Sequence, residues 1–215
     1  ARFAERLSGF KKTQVRAVAT QTLREAKNRE TFVKRGCEIL GFPIEVIAGT
    51  EEARLIYQGV AHMLPSSNEQ RLVIDIGGRS TELVLGQGLD ASETASFRVG
   101  SVAWSMKYFP TGEFTEQSMY RAEIAAQAVL EEALTVYPRH KWHKAYGASG
   151  TVGAVADILA LAGFPTSEIS MDGLDWLKKC LIRAGHANKV QLEGVKDDRR
   201  AVIGGGVSIL RALMT

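Results

Sequence analysis

Apolar residues alternate between two spacings in the first third of the chain, and each spacing predicts a different element. Short apolar and β-branched runs at 13–20 and 42–49 predict buried strands, because helices need longer periodic segments. Apolar residues three and four apart predict amphipathic helices at 28–41 and 50–64. The polar turn formers of 65–70 predict a loop, and we place a boundary between two domains there.

Three consecutive strands joined by short turns are predicted next, at 71–77, 80–87 and 91–100. Strands and helices alternate along the chain, which indicates the α/β class, with a mixed sheet and flanking helices rather than a purely parallel sheet. The predicted domains are residues 1–64 and 65–215. Helical patterns follow at 101–109, 115–137, 171–185 and 199–214, the last interrupted or entered at Gly204–Gly206, and 141–163 is typical of a strand, a turn and a helix.

Composition excludes several classes of protein. The 215 residues are 45% hydrophobic and 24% charged, which is typical of a folded protein with a sizeable core. The net charge of +3 suits an anionic ligand. The sequence lacks the concentrated Lys/Arg stripe that is typical of nucleic-acid binding proteins. Cys37 and Cys180 are too few for a disulfide framework or a zinc site, so a reducing cytoplasm is the simplest setting. No apolar stretch reaches the roughly 18–20 residues of a membrane span.

The segment "LVIDIGGRSTELVLG" places a glycine-rich turn between two predicted strands. Gly77 and Gly78 lack the β-carbon that would keep a ligand oxygen away, so the backbone N–H groups can form an anion nest, and Ser80 adds a hydroxyl donor. The period of two puts Glu82 on the side of Ser80, where Glu82 and Asp75 could hold a hydrated Mg²⁺. The alternative is an ordinary hairpin, with glycines for turn geometry and carboxylates in solvent.

Arg79 lies inside this turn and has two interpretations. If its backbone takes the conformation that glycine usually holds, the guanidinium lies beside the bound anion and strengthens binding. Alternatively the side chain points to solvent and contributes little.

A second small-residue turn, in "AYGASGTVGAVAD", comes between a predicted strand and a helix. The free N–H groups of a helix N-terminus favour an anion. The alternative is an ordinary capped helix, with Ser149 or Thr151 as the N-cap. Two such turns in one chain favour a shared polyphosphate cleft. The candidate phosphate-binding residues are Gly77, Gly78, Arg79, Ser80, Thr81, Gly147, Ser149, Gly150 and Thr151.

Two acidic residues begin the predicted helix at 50–64, and a helical wheel separates them. Glu52 shares a stripe with Ile56, Gly59 and Met63, whereas Glu51 lies over a more polar face. A packed apolar stripe would remove water from the Glu52 carboxylate and raise its pKa towards that of a general base. The alternative is that both glutamates only complement the helix dipole.

Arg24 follows the end of the first predicted strand. Strand ends are where α/β proteins usually place ligand contacts, and a guanidinium there could bind phosphate through two donors. The alternative is an ordinary surface arginine.

Six segments, in this order, resemble the exopolyphosphatase and guanosine pentaphosphate phosphohydrolase (Ppx/GppA) family. They are "ATQTLREA", "IEVIAGTEEARLIYQGV", "LVIDIGGRSTELVLG", "FRVGSVAWSMKYFP", "AYGASGTVGAVADIL" and "VIGGGVSIL". This family belongs to the actin, hexokinase and Hsp70 superfamily. The resemblance therefore implies a ribonuclease H-like, actin-like ATPase fold. It also implies hydrolysis of the terminal phosphoanhydride of inorganic polyphosphate, of guanosine pentaphosphate, or of both, in a cytoplasmic homodimer.

The resemblance implies a role for each matched residue. Glu52 is the second glutamate of the family's "EEA" motif, which is the proposed base for the attacking water, and Arg24 matches the arginine of the "T.TLR" motif. Asp75 and Glu82 fall in the family's second phosphate loop and carry over to a Mg²⁺ site. The "GASGT" turn corresponds to the third glycine-rich turn.

Two departures from the family accompany the match. The family's first phosphate loop, an Asp-x-Gly-Ser-x-Ser hairpin, is absent from this sequence, so we expect one partial and one near-complete lobe and an incomplete site in this chain alone. Arg79 stands where many members have glycine. Two other functions stay open: a nucleotide or alarmone sensor that binds without turnover, and a kinase of the same superfamily.

Overall fold

The computed structural model describes residues 2–166 and 168–215 and has the mixed α/β architecture that the sequence predicts. Contacts within the chain form two compact units, one ending at Glu52 and the other running from Ala53 to Thr215. Within the described residues, every helix is too short or too polar to pass through a bilayer.

The unit that ends at Glu52 contains a two-stranded parallel sheet, with Ala17 opposite Ile44. The helix between 29 and 40 ends at Gly41, whose φ of 78° is the left-handed conformation that glycine adopts readily. The elements in chain order are α1 (Arg2–Arg6), β1 (Ala17–Ala19), α2 (Gln21–Glu25), α3 (Arg29–Leu40), β2 (Ile44–Val46) and α4 (Gly49–Met63), which continues into the second unit.

The second unit is built on a four-stranded sheet with the order β5-β4-β3-β6. Its strands are β3 (Gln70–Ile76), β4 (Thr81–Gln87), β5 (Asp90–Phe97) and β6 (Lys144–Gly147). Strands β3, β4 and β5 pair antiparallel, so the predicted meander is confirmed. Strand β6 pairs parallel to β3, which makes the sheet mixed.

Helices cover this sheet, and three glycines form the first turn of the last one, which begins at Ile203. Gly204, Gly205 and Gly206 are buried inside the last helix, where side chains would overlap Phe109 and Ser105. They therefore allow close packing at the point where the helix is entered, one of the two predicted alternatives, while the predicted segment 199–214 is divided by a turn at 201–202. The helices are α5 (Ser101–Tyr108), α6 (Glu116–Val136), α7 (Gly150–Leu161), α8 (Met171–Ala184), α9 (Asp197–Arg200) and α10 (Ile203–Met214).

Alternation along the central strands divides the sheet into two buried faces. Ile76 and Leu83 lie in a large core shared with α5 to α8 and α10. Val73 and Val84 lie on the opposite face and pack with Tyr57 of α4. Polar residues at the ends of the same strands are thus assigned to one face or the other by the period of two.

Candidate active site

Arg24 and Glu52 form a shielded ion pair. Arg24 Nη1 donates to Glu52 Oε2 over 2.9 Å, and the two side chains are 18% and 17% exposed. Arg24 belongs to α2, directly after β1, and Glu52 belongs to the first turn of α4. The two residues that the sequence selects as catalytic candidates are therefore in direct contact.

The surroundings of Glu52 differ from the helical-wheel prediction. Gly59 is exposed and Met63 is 87% exposed, so the stripe that Glu52 shares with them is not the packed face of α4. The packed face instead carries Ala53 and Tyr57, both completely buried. The predicted apolar stripe is therefore wrong for Gly59 and Met63, whereas Ile56 is partly buried against the cluster of Ala53, Tyr57 and Ala61. The partly buried Glu52 carboxylate is paired with the Arg24 guanidinium.

Three hydrogen bonds, one from Nε and two from Nη1, hold the Arg24 guanidinium in place. Nε donates to Gln21 Oε1 over 2.8 Å, and Nη1 also donates to the Ile47 carbonyl over 2.9 Å. Among the described residues, Nη2 of Arg24 is buried and has no hydrogen-bond partner. A buried donor without an acceptor carries a cost of about 1–3 kcal/mol, which an anionic acceptor would remove.

A polar cavity of about 390 Å³ borders Arg24 in the same unit. Lys27, Arg29 and the acidic Glu30 line it together with Asn28, which stands at the N-cap of α3 without forming a side-chain cap. Three positive side chains and the N-terminus of a helix, which favour an anion, therefore outnumber one carboxylate in its lining.

In the second unit, α5 holds the glycine loop after β3. The carbonyl of Gly77 accepts from Ser101 N–H over 2.8 Å, and the carbonyl of Gly78 accepts from Val102 N–H over 2.9 Å. Gly77 N–H donates to the Ser80 carbonyl. In the described part of the chain, the N–H groups of Gly78 and Ser80 donate to no backbone carbonyl. Loop carbonyls thus cap the N-terminus of α5, and two loop amides remain for a ligand.

The backbone of Arg79 lies directly against Gly100. A β-carbon at position 100 would overlap the Arg79 main chain. Every described non-glycine residue has a negative φ, so Arg79 occupies its place without left-handed strain. Its side chain is exposed. An arginine is therefore compatible with this turn, which does not need glycine at position 79.

Asp75 and Glu82 are directly opposite each other on β3 and β4. Directly opposite residues place their side chains on one face, here the face of Val84. Ser96 is the next residue in this row, on β5, and its Oγ donates to Glu82 Oε1 over 2.7 Å. Glu82 is only 1% exposed. Mg²⁺ binds through one or two carboxylates together with water and phosphate oxygens. The described residues contain no group of three or more His, Cys, Asp or Glu side chains that could hold a metal ion, so Mg²⁺ at this pair stays a prediction.

The second small-residue turn leaves the same edge of the sheet as the glycine loop. β3 and β6 are parallel neighbours, and Ala148 N–H donates to the Ile74 carbonyl over 2.9 Å. Ser149 caps α7 by accepting from Val152 N–H, so the alternative of an ordinary N-cap is correct for this side chain. Its capping role leaves the helix dipole unchanged and available to an anion.

Side chains join the starts of α5 and α7. Thr151 Oγ1 lies 3.3 Å from Ser101 Oγ, and Ser101 Oγ also donates to the Gly77 carbonyl. Gly206 allows this approach, because a β-carbon there would overlap Thr151. The structure therefore brings the two predicted turns together through Ser101, which sequence reasoning missed.

Arg199 is a second residue that the sequence does not reveal. Its Nη2 lies 2.9 Å from the position that a β-carbon of Gly150 would occupy, at the N-terminus of α7. Its nearest acidic neighbour is Asp198, at 4.0 Å. A cation beside a helix N-terminus is electrostatically unfavourable unless an anion binds between them. Only the packing of α9 against α7 brings Arg199 to this place.

Thr81 occupies the opposite face of β4 from Glu82. Its side chain is completely buried, and its hydroxyl donates to the Val99 carbonyl. This hydrogen bond ties β4 to the segment that leads into α5.

Comparisons with known proteins agree with this architecture. The family model of the Ppx/GppA phosphatase family matches residues 1–215. An exopolyphosphatase-like protein of known structure is 27% identical, with a TM-score of 0.84, and the match covers 99% of this chain and 70% of that protein. A PPX-GPPA enzyme from Aquifex aeolicus is 26% identical, with a TM-score of 0.75, over 99% and 72% of the two chains.

A more distant structure supports the fold alone. An exopolyphosphatase from Cytophaga hutchinsonii is 20% identical, with a TM-score of 0.77, and the match covers 99% of this chain and 71% of that one. The chain thus belongs to the Ppx/GppA phosphatase family, with its actin-like α/β fold and a phosphatase-type function.

Proposed function

We propose that this protein hydrolyses the terminal phosphoanhydride bond of inorganic polyphosphate or guanosine pentaphosphate and releases orthophosphate. The observation that carries the proposal is the Arg24–Glu52 pair, in which a shielded carboxylate is oriented by a guanidinium with one unpartnered donor. Family membership and the solved relatives named as exopolyphosphatases support the same reaction.

In the proposed reaction, water attacks the terminal phosphorus in line with the bridging oxygen. A bond forms between phosphorus and the water oxygen, the bridging P–O bond breaks, and the shortened chain leaves with the electron pair. Glu52 accepts the proton of the attacking water. Arg24 engages Glu52 Oε2, and we assign the proton transfer to Oε1.

The glycine loop and the start of α7 bind phosphate oxygens in this proposal. The amides of Gly78 and Ser80, the N-terminus of α7 and the Arg199 guanidinium supply donors and positive charge. Asp75 and Glu82 would hold Mg²⁺, which would offset phosphate charge when bound. In this proposal Thr81 does not bind phosphate but stabilises the loop through its hydrogen bond to the Val99 carbonyl.

Phosphate release from long-chain polyphosphate and from guanosine pentaphosphate, with Mg²⁺, tests this function. The assay uses the full-length protein that contains this chain, its Glu52→Gln variant, and Glu132→Gln on an exposed position of α6 as the matched control. We expect Glu52→Gln to lose about 100-fold or more of the rate, as removal of a general base does. Equal rates would disprove the assignment of Glu52. A wild type that binds both substrates and releases no phosphate would support a sensor instead.

A further inference from the structure

We propose that Gln21 is a positioning residue that sets the plane of the Arg24 guanidinium, an inference that rests on the function proposed above. Gln21 is a polar residue with only 7% of its surface exposed. It lies on α2 three residues before Arg24 and four before Glu25, so the three side chains share one face of the helix.

Hydrogen bonds fix the orientation of the Gln21 amide. Its Nε2 donates to Glu25 Oε1 over 2.7 Å, and its Oε1 accepts from Arg24 Nε over 2.8 Å. A carboxylate only accepts and a guanidinium only donates, so neither partner tolerates the flipped amide. Glu25 therefore keeps the carbonyl end of Gln21 directed at Arg24.

The Gln21 contact, together with the contacts of Nη1, determines the direction of the remaining donor of Arg24. A guanidinium is planar and rigid, so fixing Nε and Nη1 also fixes Nη2. Nη1 donates to Glu52 and to the Ile47 carbonyl, both over 2.9 Å. Among the described residues Nη2 alone of the three nitrogens lacks an acceptor. Gln21 thereby holds one donor on the proposed base and aims another at an anionic substrate.

This role differs from that of a buried amide that only stabilises α2. A positioning residue acts through Arg24, so its removal has no further effect once Arg24 is absent. A residue that only stabilises the fold lowers activity by the same factor whether or not Arg24 is present. A double-mutant cycle between the two positions separates these cases.

The test compares kcat/KM for polyphosphate hydrolysis by the full-length wild type, Gln21→Leu, Arg24→Met and the double variant. We expect Gln21→Leu to lose about ten-fold or more, the effect of one hydrogen bond to a charged group. In the Arg24→Met background the same change should alter kcat/KM by less than about two-fold. Equal losses in both backgrounds, or no loss in either, would overturn the proposal.

A rescue variant provides a second test. Gln21→Glu combined with Glu25→Gln keeps an acceptor for Arg24 Nε and a donor for that acceptor, so we expect activity within about three-fold of wild type. Activity as low as that of Gln21→Leu would contradict the proposal. Gln117→Leu, at an exposed position of α6, is the matched control.

Failure of the proposed function gives a different pattern. A wild type that releases no phosphate disproves hydrolysis, and the same cycle is then measured with the dissociation constant of tripolyphosphate. Weakening by Gln21→Leu only when Arg24 is present supports the positioning role. Identical affinities for wild type and Gln21→Leu exclude it.

Discussion

Arg24 Nη1 lies 2.9 Å from Glu52 Oε2, and water reaches less than a fifth of either side chain. A lysine at position 24 keeps the charge but loses the planar set of donors that contacts Gln21, Ile47 and Glu52 together. We therefore predict that Arg24→Lys lowers kcat/KM for polyphosphate by about ten-fold or more. Arg6→Lys, at an exposed position of α1, is the control, and equal kcat/KM values for the two variants would contradict the prediction.

Gly100→Ala should disturb the glycine loop, because the new methyl group would overlap the Arg79 backbone. We predict a loss of about 1–3 kcal/mol in the free energy of unfolding, the usual effect of overpacking, together with weaker binding of tripolyphosphate. Urea unfolding and calorimetric titration measure the two effects. Gly59→Ala is the matched control: its methyl group meets nothing within 4 Å on an exposed helix surface, so stability should stay level or rise. Equal stability of the two variants would refute the steric argument.

Arg79→Gly tests whether the exposed guanidinium contacts the substrate. If it does, polyphosphate affinity should fall about two- to five-fold at low salt, and its dependence on salt concentration should become shallower. Arg79→Ala separates loss of the charge from the added backbone freedom of glycine. Unchanged affinity and unchanged salt dependence in both variants would exclude the contact.

Arg199→Met should weaken tripolyphosphate binding by about three- to ten-fold without destabilising the protein. Removal of a cation beside the N-terminus of α7 should even raise the free energy of unfolding of the ligand-free protein, by about 0.3–1 kcal/mol. Arg183→Met is an opposite-sign control, because Arg183 lies in the last turn of α8, where a cation is favourable. A loss of stability in Arg199→Met as large as that in Arg183→Met would contradict the predicted anion site.

Tyr137 should make the protein less stable in strong alkali. Burial, and then the charge of Glu93, raise the pKa of Tyr137 to about 12, and its hydroxyl donates to the Leu83 carbonyl over 2.9 Å. Since the unfolded chain ionises near the ordinary pKa of about 10, this contribution is complete below pH 10 and is lost as pH rises towards 12. The loss amounts to about 2–3 kcal/mol.

Denaturant unfolding between pH 9 and 12 measures this loss. Tyr137→Phe should flatten the pH dependence, whereas Tyr120→Phe, at a side chain that is 61% exposed, should not. The same slope in wild type and Tyr137→Phe would show that other groups cause the alkaline instability.

Local patterns predict the helices and strands well, because the spacing of apolar residues and the residue types of turns depend only on residues close together in sequence. The meander of β3 to β5 and the turn before α7 lie where the sequence places them. A helical wheel selects Glu52, but of the three neighbours it assigns only Ile56 packs against the buried cluster, because the face centred on Ala53 and Tyr57 is the one that contacts the sheet. Gln21 contacts Arg24 within the same short helix, but sequence reasoning did not select it because its role depends on what Arg24 contacts. Arg199 owes its place to a tertiary contact with Gly150, which no local pattern marks.

The main-chain support of the glycine loop has a consequence for how this protein can change over evolutionary time. Hydrogen bonds from α5 and the close approach of Gly100 fix the course of the loop, while the side chain at position 79 is exposed and its backbone is unstrained. A point mutation at that codon can therefore alter charge beside the glycine loop without remodelling the turn. Under the proposed function, position 79 is a place where natural selection can adjust substrate preference separately from folding.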